Sequence, residues 1–139
     1  MQITRETDYA MRCLLYLSGH PDKVAMVDEI SREMATPKSF LAKILQKLVK
    51  AGVIRSFRGV KGGFQLNRPP NDISLLDVIE AIEGVVALNA CAVDSSVCGF
   101  SSTCGVHTVW VKLRVEVNEL FRKYTFADIA EATRKSRES

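Results

Sequence analysis

The sequence contains no long apolar segment: no uninterrupted run approaches the roughly 18 residues that a membrane-spanning helix requires. Nor does the N-terminus show the charged and apolar regions of a secretory signal peptide. We therefore expect a cytoplasmic protein without a membrane partner. In that reducing compartment, the four cysteines of the chain favour metal binding over a disulfide framework.

Catalytic and nucleotide-binding motifs are also absent. The glycine-rich segment Gly59–Gly63 is followed by neither a Gly-Lys-Ser/Thr sequence nor a helical pattern, which argues against a phosphate-binding loop. With 139 residues, 47% of them hydrophobic and 25% charged, the chain has the composition of one globular domain, or of one small domain with an appendage. We expect it not to be an enzyme.

Acidic residues are missing from Thr36 to Arg68, although the whole chain carries a formal net charge of only +3. This segment holds eight basic residues, so the remainder of the chain is net acidic. A basic segment of this kind indicates a polyanionic partner, although a solvated basic face would have the same composition. The order of the predicted elements favours the first interpretation, with DNA as the partner.

Three helical patterns precede a predicted hairpin. The first two run from about Glu6 to Ser18 and from about Val27 to Met34. The third has Thr36 as its predicted N-cap and Pro37 as its first helical residue, and Gly52 ends it. Its apolar stripe consists of Leu41, Ile44, Leu45 and Leu48.

The hairpin follows directly, because Val-Ile-Arg-Ser-Phe-Arg and Phe-Gln-Leu-Asn predict two short strands joined by the glycine-rich turn. Three helices followed by a hairpin is the order of a winged helix-turn-helix domain, in which the third helix enters the major groove. The hairpin, or wing, would contact the DNA backbone or the minor groove. The predicted DNA contacts are Lys38, Ser39, Ala42, Lys43, Lys47, Arg58 and Lys61.

A linker with one short helix is predicted from residue 69 to residue 88. Ser74 and Asp77 form a capping box for this helix, and Gly84 ends it. Farther along the chain, Thr125 and Asp128 can cap a short terminal helix that ends near residue 133, and the final residues are expected to fray.

A longer helix is predicted between these two, from about Thr103 to Tyr124. Its apolar residues are spaced by 4, 3, 4, 3 and 4 positions, which is a heptad pattern. Such a face packs either on its own domain or on a second copy of the chain. We favour a homodimer, because paired half-sites on DNA require paired subunits. The predicted dimer residues are Val106, Trp110, Leu113, Val117, Leu120 and Tyr124.

Three cysteines and a histidine lie close together in a segment that has no helical or strand period, from residue 89 to residue 107. They are Cys91, Cys98, Cys104 and His107, and the last two are three residues apart at the start of the long helix, so they can face one point. Three thiolates and an imidazole suit an iron–sulphur cluster or zinc. The spacings are wide for zinc knuckles and favour the cluster, whereas a thiol–disulfide switch is a third interpretation. Cys13 belongs instead to the apolar stripe of the first helix.

The chain resembles the IscR/NsrR-type family of bacterial iron–sulphur winged-helix transcription regulators from Met1 to about Ala132. The resemblance includes Met-Gln-Ile-Thr-x5-Ala at the N-terminus and Phe-Leu-x-Lys-Ile-Leu with Lys-Ala-Gly in the third helix. It also includes Val-Lys-Gly-Gly-Phe-x-Leu in the wing, Ile-Ser-Leu-x-Asp-Val-Ile in the linker, and the three cysteines before the long helix. It implies a homodimeric regulator, and we expect a repressor, that senses nitric oxide, redox state or iron status through its cluster.

Two solutions for the fourth cluster ligand are implied by this resemblance. In one, a histidine three residues after the last cysteine holds a 2Fe–2S cluster, and His107 matches it. In the other, an aspartate near the N-terminus of the second subunit holds a 4Fe–4S cluster, which Asp8 of the partner subunit would match. We take His107 as the first choice. The chain departs from the IscR pattern at Ala42 and Lys43, which stand in place of a DNA-contacting Glu-Gln pair.

The expected architecture is therefore mainly α with a small β-hairpin. Residues 1–68 form a winged helix-turn-helix DNA-binding domain, 69–88 a linker and short helix, and 89–107 a cysteine-rich cluster-binding loop. The dimerisation helix and the short terminal helix occupy 103–133.

Overall fold

The computed structural model describes residues 2–139, so Met1, at which the predicted DNA-binding domain begins, lies outside the described residues. Helices dominate, and two short strands form an antiparallel sheet, which confirms the predicted mainly α fold with a small β-hairpin. In chain order the elements are α1 (Arg5–Gly19), α2 (Val27–Glu33), α3 (Lys38–Lys50), β1 (Ile54–Phe57), β2 (Gly63–Leu66), α4 (Leu75–Glu83), α5 (Gly105–Lys123) and α6 (Phe126–Glu138). Within the described part of the chain, no helix is both long and apolar enough to cross a membrane.

The N-terminal core lies between α1 and α3. Thr4 caps α1, because its hydroxyl oxygen accepts a hydrogen bond from the amide of Thr7 at 3.2 Å. The apolar stripes predicted for both helices are their buried faces, since residues three and four apart lie on one side of a helix. The buried residues are Ala10, Cys13, Leu14, Leu17, Leu41, Ile44, Leu45 and Leu48. This packing fixes α3 on one side and leaves its opposite side exposed.

The start of α3 differs from the prediction. Pro37 occupies the N-cap position, and Thr36 is buried before the helix. The Thr36 hydroxyl donates to the carbonyl oxygen of Met34 at 3.2 Å, and the Ser31 hydroxyl donates to the Thr36 carbonyl at 2.7 Å. Thr36 thus closes the turn between α2 and α3, in which Ala35 has a positive φ of 49°, and its side chain is unavailable to the helix amides. At the other end, Gly52 follows the C-cap with a φ of 77°, as predicted.

The wing is anchored at its base and attached to the loop before α2. Ile54 pairs with Leu66 and Phe57 with Gly63, and the first of these pairs is buried. Phe64 and Ala25 exchange two backbone hydrogen bonds of 2.8 Å each. A Cβ atom on Gly63 would lie 2.4 Å from the Ala25 carbonyl oxygen, so this close approach requires glycine. The wing is therefore held at a fixed position beside α2 and α3.

The helix α4 lies between the N-terminal helices and α5. The predicted capping box is present, with hydrogen bonds of 2.9 Å from the Ser74 amide to Asp77 and of 3.2 Å from the Asp77 amide to Ser74. This helix packs against α1 and α3 on the DNA-binding side and against α5 on the other. After α5 the chain returns to the N-terminal part of the fold. The amide of the buried Phe126 donates to the Ile73 carbonyl at 2.9 Å, and α6 packs on α1.

Two boundaries in the C-terminal part differ from the predictions. Cys104 takes the N-cap position and α5 begins at Gly105, because the Thr103 amide instead closes a turn with the Phe100 carbonyl at 3.0 Å. The terminal helix is 13 residues long and extends to Glu138, well beyond the predicted end near residue 133. Arg134 pairs with Glu131 at 2.7 Å and with Glu138 at 2.6 Å, and such pairs one turn apart support the helix where fraying was expected.

Candidate functional site

The exposed side of α3 carries four of the seven predicted DNA contacts. Lys38, Ser39, Ala42 and Lys43 are all exposed, on the side opposite the buried stripe. Lys38 also pairs with Asp28 of α2 at 2.5 Å, an exposed contact between flexible side chains that a phosphate could replace. The early part of α3 thus presents small and basic side chains together, as a helix that approaches the major groove does.

The wing presents two further predicted contacts. Arg58 and Lys61 are exposed near its tip, where Val60 is 96% exposed. Arg58 and Lys38 line the same groove, of about 480 Å³, between the wing and the start of α3. The fold therefore brings basic residues of the wing and of α3 to the edges of one surface depression.

Lys47 differs from the other six predicted contacts. Its ammonium group lies 2.8 Å from the Glu6 carboxylate of α1, and both side chains are about two-thirds buried. Lys47 thus joins α3 to α1 and is turned away from the exposed side. The position in the sequence could have indicated this, because Lys47 lies between the buried Ile44 and Leu48, at the margin of the apolar stripe.

The predicted metal ligands line one cavity of about 390 Å³. A short 3-10 helix, Ala90–Ala92, carries the buried Cys91, whereas Cys98 follows a second one and is exposed. Cys104 caps α5 and His107 lies one turn later, so both face the cavity from the same helix end. Trp110, one helical turn after His107, also lines the cavity.

These four side chains are not arranged around a single ion. Among residues 2–139, no group of three or more His, Cys, Asp or Glu side chains is close enough to hold a metal ion. A zinc ion requires donor atoms at about 2.0–2.3 Å, and hence close to one another, whereas the ligands of an iron–sulphur cluster bind different iron atoms and stand farther apart. The four side chains line one cavity, and the chemistry of three thiols and one imidazole suits either group.

Two polar atoms at the cavity lack partners. His107 Nδ1 and the Ser101 hydroxyl are buried and have no hydrogen-bond partner among the described residues. A buried polar atom without a partner costs about 1–3 kcal/mol, so such atoms usually mark a missing ligand, water or ion. Three thiols and an unpaired imidazole nitrogen around one cavity fit an iron–sulphur cluster.

Asp8 and Cys13 lie elsewhere. Asp8 is exposed in the first turn of α1, 3.1 Å from Arg12, and lines a surface region with Tyr9 rather than the cysteine cavity of its own chain. Cys13 is fully buried in the core, as predicted, and burial raises the pKa of its thiol to about 12.

The predicted dimer residues form one continuous face of α5. Val106, Leu120 and Tyr124 are exposed in the single chain, and Trp110, Leu113 and Val117 are half-buried. Val109 also belongs to this face, being three residues after Val106, and the heptad spacing did not include it. The adjoining side of α5 packs on α4 and on the 3-10 helix Ala90–Ala92, where Asn118 is buried.

Comparison with known proteins places this chain in a family. The sequence model of the family Rrf2, described as "Iron-dependent Transcriptional regulator", matches residues 3–132. The chain belongs to the Rrf2 family. This Rrf2 protein is accordingly a transcriptional regulator with a DNA-binding winged helix, and its family is described as one of regulators rather than enzymes.

Relatives and solved structures agree with this assignment. The chain is 33% identical to protein aau3 of Rhizobium meliloti (strain 1021), over 95% of this chain and 86% of the relative. It is 32% identical to an HTH-type transcriptional regulator of Aquifex aeolicus (strain VF5), over 87% of this chain and 85% of the relative. The structure of T. potens IscR superposes with a TM-score of 0.76 at 22% identity, covering 98% of this chain and 90% of that one. The oxidised form of Staphylococcus aureus CymR superposes with a TM-score of 0.70 at 26% identity, covering 94% and 97%.

Proposed function

We propose that this Rrf2 regulator binds duplex DNA as a homodimeric repressor and that an iron–sulphur cluster at Cys91, Cys98 and Cys104 controls its affinity. The observation that carries the proposal is the cavity that these three cysteines line together with His107, whose Nδ1 has no hydrogen-bond partner among the described residues. The family description as iron-dependent and the likeness to IscR support it.

The residues of the chain have distinct parts in this proposal. The three cysteines bind as thiolates, and their different exposures give access from one side, because Cys98 is exposed whereas Cys91 is buried. His107 completes the ligand set with Nδ1, which has no other partner in the described chain. When bound, such a cluster supplies redox chemistry and a centre that reacts with nitric oxide or oxygen, so any of redox state, nitric oxide and iron status can be the signal.

A continuous set of contacts joins the cysteine loop to the DNA-binding helix. Arg114 of α5 donates a hydrogen bond to the Ala92 carbonyl, next to Cys91. The helix α5 packs on α4, which packs on α3. Cluster binding would order the loop. The ordered loop would fix α5 and, through α4, the position of α3 relative to the second subunit.

The second subunit is assigned to the apolar face of α5. A single chain leaves Val106, Val109 and Leu120 exposed along one side of a 19-residue helix. Apolar side chains at heptad spacing can be buried by packing against the same face of a second copy. Two copies would then present two α3 helices to the two half-sites of an operator.

The fourth ligand is decided by comparing two variants. His107→Ala should change the visible and electron paramagnetic resonance spectra of the cluster if His107 is a ligand, whereas Asp8→Ala should leave them unchanged. The reverse result would assign the position to Asp8 of the partner subunit and remove His107 from the ligand set. Glu6→Ala is a suitable control, because Glu6 also lies in the first turn of α1 and contacts Lys47.

The experiment that tests the proposal is anaerobic purification followed by iron, zinc and acid-labile sulphide analysis and by DNA binding with and without the cluster. We expect iron and sulphide in equal amounts, a visible absorption band, and a change in DNA affinity after cluster removal. Stoichiometric zinc without sulphide would contradict the proposal and support a structural zinc site at the same residues.

A thiol–disulfide switch is the second candidate function. The observation that favours it is the free state of all three cysteines around one cavity, together with the likeness to an oxidised form of CymR. In that case metal-free protein should form a disulfide among Cys91, Cys98 and Cys104 on mild oxidation, and its DNA affinity should change reversibly with thiol reductant. Mass spectrometry of non-reduced peptides detects the disulfide, and sulphide analysis of the protein as purified distinguishes the two candidates, because the cluster requires sulphide and the switch does not.

A further inference from the structure

The exposed side of α3 extends beyond the residues that sequence reasoning selected. Gln46 is exposed and lies one turn after Ala42 and Lys43 and one turn before Lys50, all of which are exposed too. Residues three and four apart share a helix face, so Gln46 stands in the middle of this side. The buried residues Ile44, Leu45 and Leu48 hold the helix firmly from behind.

We propose that Gln46 recognises an adenine in the major groove and gives the regulator a preference for an A·T pair at one position of each half-site. The inference rests on the proposed docking of α3 in the major groove. It adds a base-specific contact to a face that otherwise carries small and positively charged side chains.

Among the side chains on this face, Gln46 is the one whose hydrogen-bonding groups match adenine. The amide of glutamine has an acceptor oxygen and donor N–H groups, which match the N6 donor and N7 acceptor that adenine presents in the major groove. A serine hydroxyl pairs with several bases, and alanine makes only apolar contacts. Lysine ammonium groups are donors only, and suit guanine or phosphate.

The surroundings of Gln46 leave its amide available. One turn before it, Ala42 has a methyl group that neither covers the amide nor bonds to it. Lys43 and Lys50, the polar neighbours one turn away, offer no acceptor for its N–H groups, and Thr36–Arg68 contains no carboxylate. The small Ala42 also lets this side of the helix approach the groove floor closely.

The contact is tested by selecting bound sequences from a random duplex pool with anaerobically prepared protein, using whichever cluster state binds DNA. Wild-type protein should select a symmetric motif with an A·T pair whose replacement weakens binding roughly 5- to 150-fold, the range for one bidentate base contact. Gln46→Ala should lose the preference at that pair alone. Gln46→Glu should shift it towards C·G, because a carboxylate accepts from the cytosine N4 amino group.

Lys50→Ala is the matched control, since Lys50 is exposed on the same face but should weaken binding to all sequences alike. Alanine and glutamate are both good helix formers, so the Gln46 variants should keep the wild-type circular dichroism spectrum. If Gln46→Ala selects the wild-type motif unchanged at every position, the inference is wrong and the proposed function stands. If wild-type protein selects no motif in either cluster state, the proposed function fails and the inference fails with it.

Discussion

The guanidinium of Arg114, in the middle of α5, donates a hydrogen bond to the carbonyl oxygen of Ala92 at a distance of 2.9 Å. This is a direct polar link between the helix that we propose for the dimer interface and the loop that carries the cysteines. Ala92 is buried and Arg114 is half-buried, so the bond is partly shielded from water. A charged donor in such a position stabilises by about 1.5–3 kcal/mol.

We expect Arg114→Met, which keeps the apolar stem but removes the donor, to lower the free energy of unfolding by about 1.5–3 kcal/mol in urea titrations. It should also reduce the difference in DNA affinity between cluster-loaded and cluster-free protein, because loop order would no longer be transmitted to α5. Lys112→Met is the control: Lys112 is exposed on the same helix and its 4.0 Å pair with Glu116 contributes little. An undiminished affinity difference in Arg114→Met would exclude this link from the coupling.

The four cysteines should differ sharply in reactivity. Burial raises the pKa of Cys13 to about 12, so its thiol stays protonated and unreactive at every pH up to roughly 10, while the exposed Cys98 should react with iodoacetamide at once. Peptide mass spectrometry of metal-free native protein checks this. With a cluster bound, Cys91, Cys98 and Cys104 should all be protected. Labelling of Cys13 before unfolding would contradict its place in the core.

The dimer interface can be tested with two positions that are almost equally exposed in the single chain. Leu120 is 51% exposed on the predicted face, and Val115 is 53% exposed on another side of α5. We expect Leu120→Glu to give monomers in analytical ultracentrifugation, because the dimer would bury two unpaired carboxylates at a cost of several kcal/mol. Val115→Glu should remain dimeric. Since both substitutions cost the folded monomer similar amounts, a dimeric Leu120→Glu would place the interface elsewhere.

The spacing of apolar residues was sufficient to predict the helices and the hairpin, because the burial of these residues determines the fold. The stripes of α1 and α3, the capping box at Ser74 and the stop at Gly52 depend on neighbours within two helical turns, which a sequence displays directly. The position of Thr36 was not predictable in this way. Its hydroxyl could serve as helix cap or close a turn, and in the structure it closes the turn in which Ala35 has a positive φ.

The sequence indicated which residues share one cavity, but not how they are arranged in it. Spacing along the chain indicated that three cysteines and His107 belong together, and they do line one cavity. Their positions in the cavity, and the unpaired nitrogen of His107, depend on how the loop lies against α5. The partner of Lys47 was hidden for the same reason, since Glu6 is 41 residues away in the sequence.

Lys61 and Lys47 were both predicted to contact DNA, but they differ in exposure and in their partners. Lys61 is exposed near the wing tip, whereas Lys47 is held 2.8 Å from Glu6. Lys61→Ala should weaken binding to all DNA sequences alike and reduce the slope of log affinity against log salt by roughly one per subunit, since one phosphate contact is lost. Lys47→Ala should leave that slope unchanged and instead lower the free energy of unfolding by at most about 1 kcal/mol. Fluorescence anisotropy at several salt concentrations measures the slopes. A smaller slope in Lys47→Ala would mean that its pair with Glu6 opens on binding and that Lys47 reaches the DNA after all.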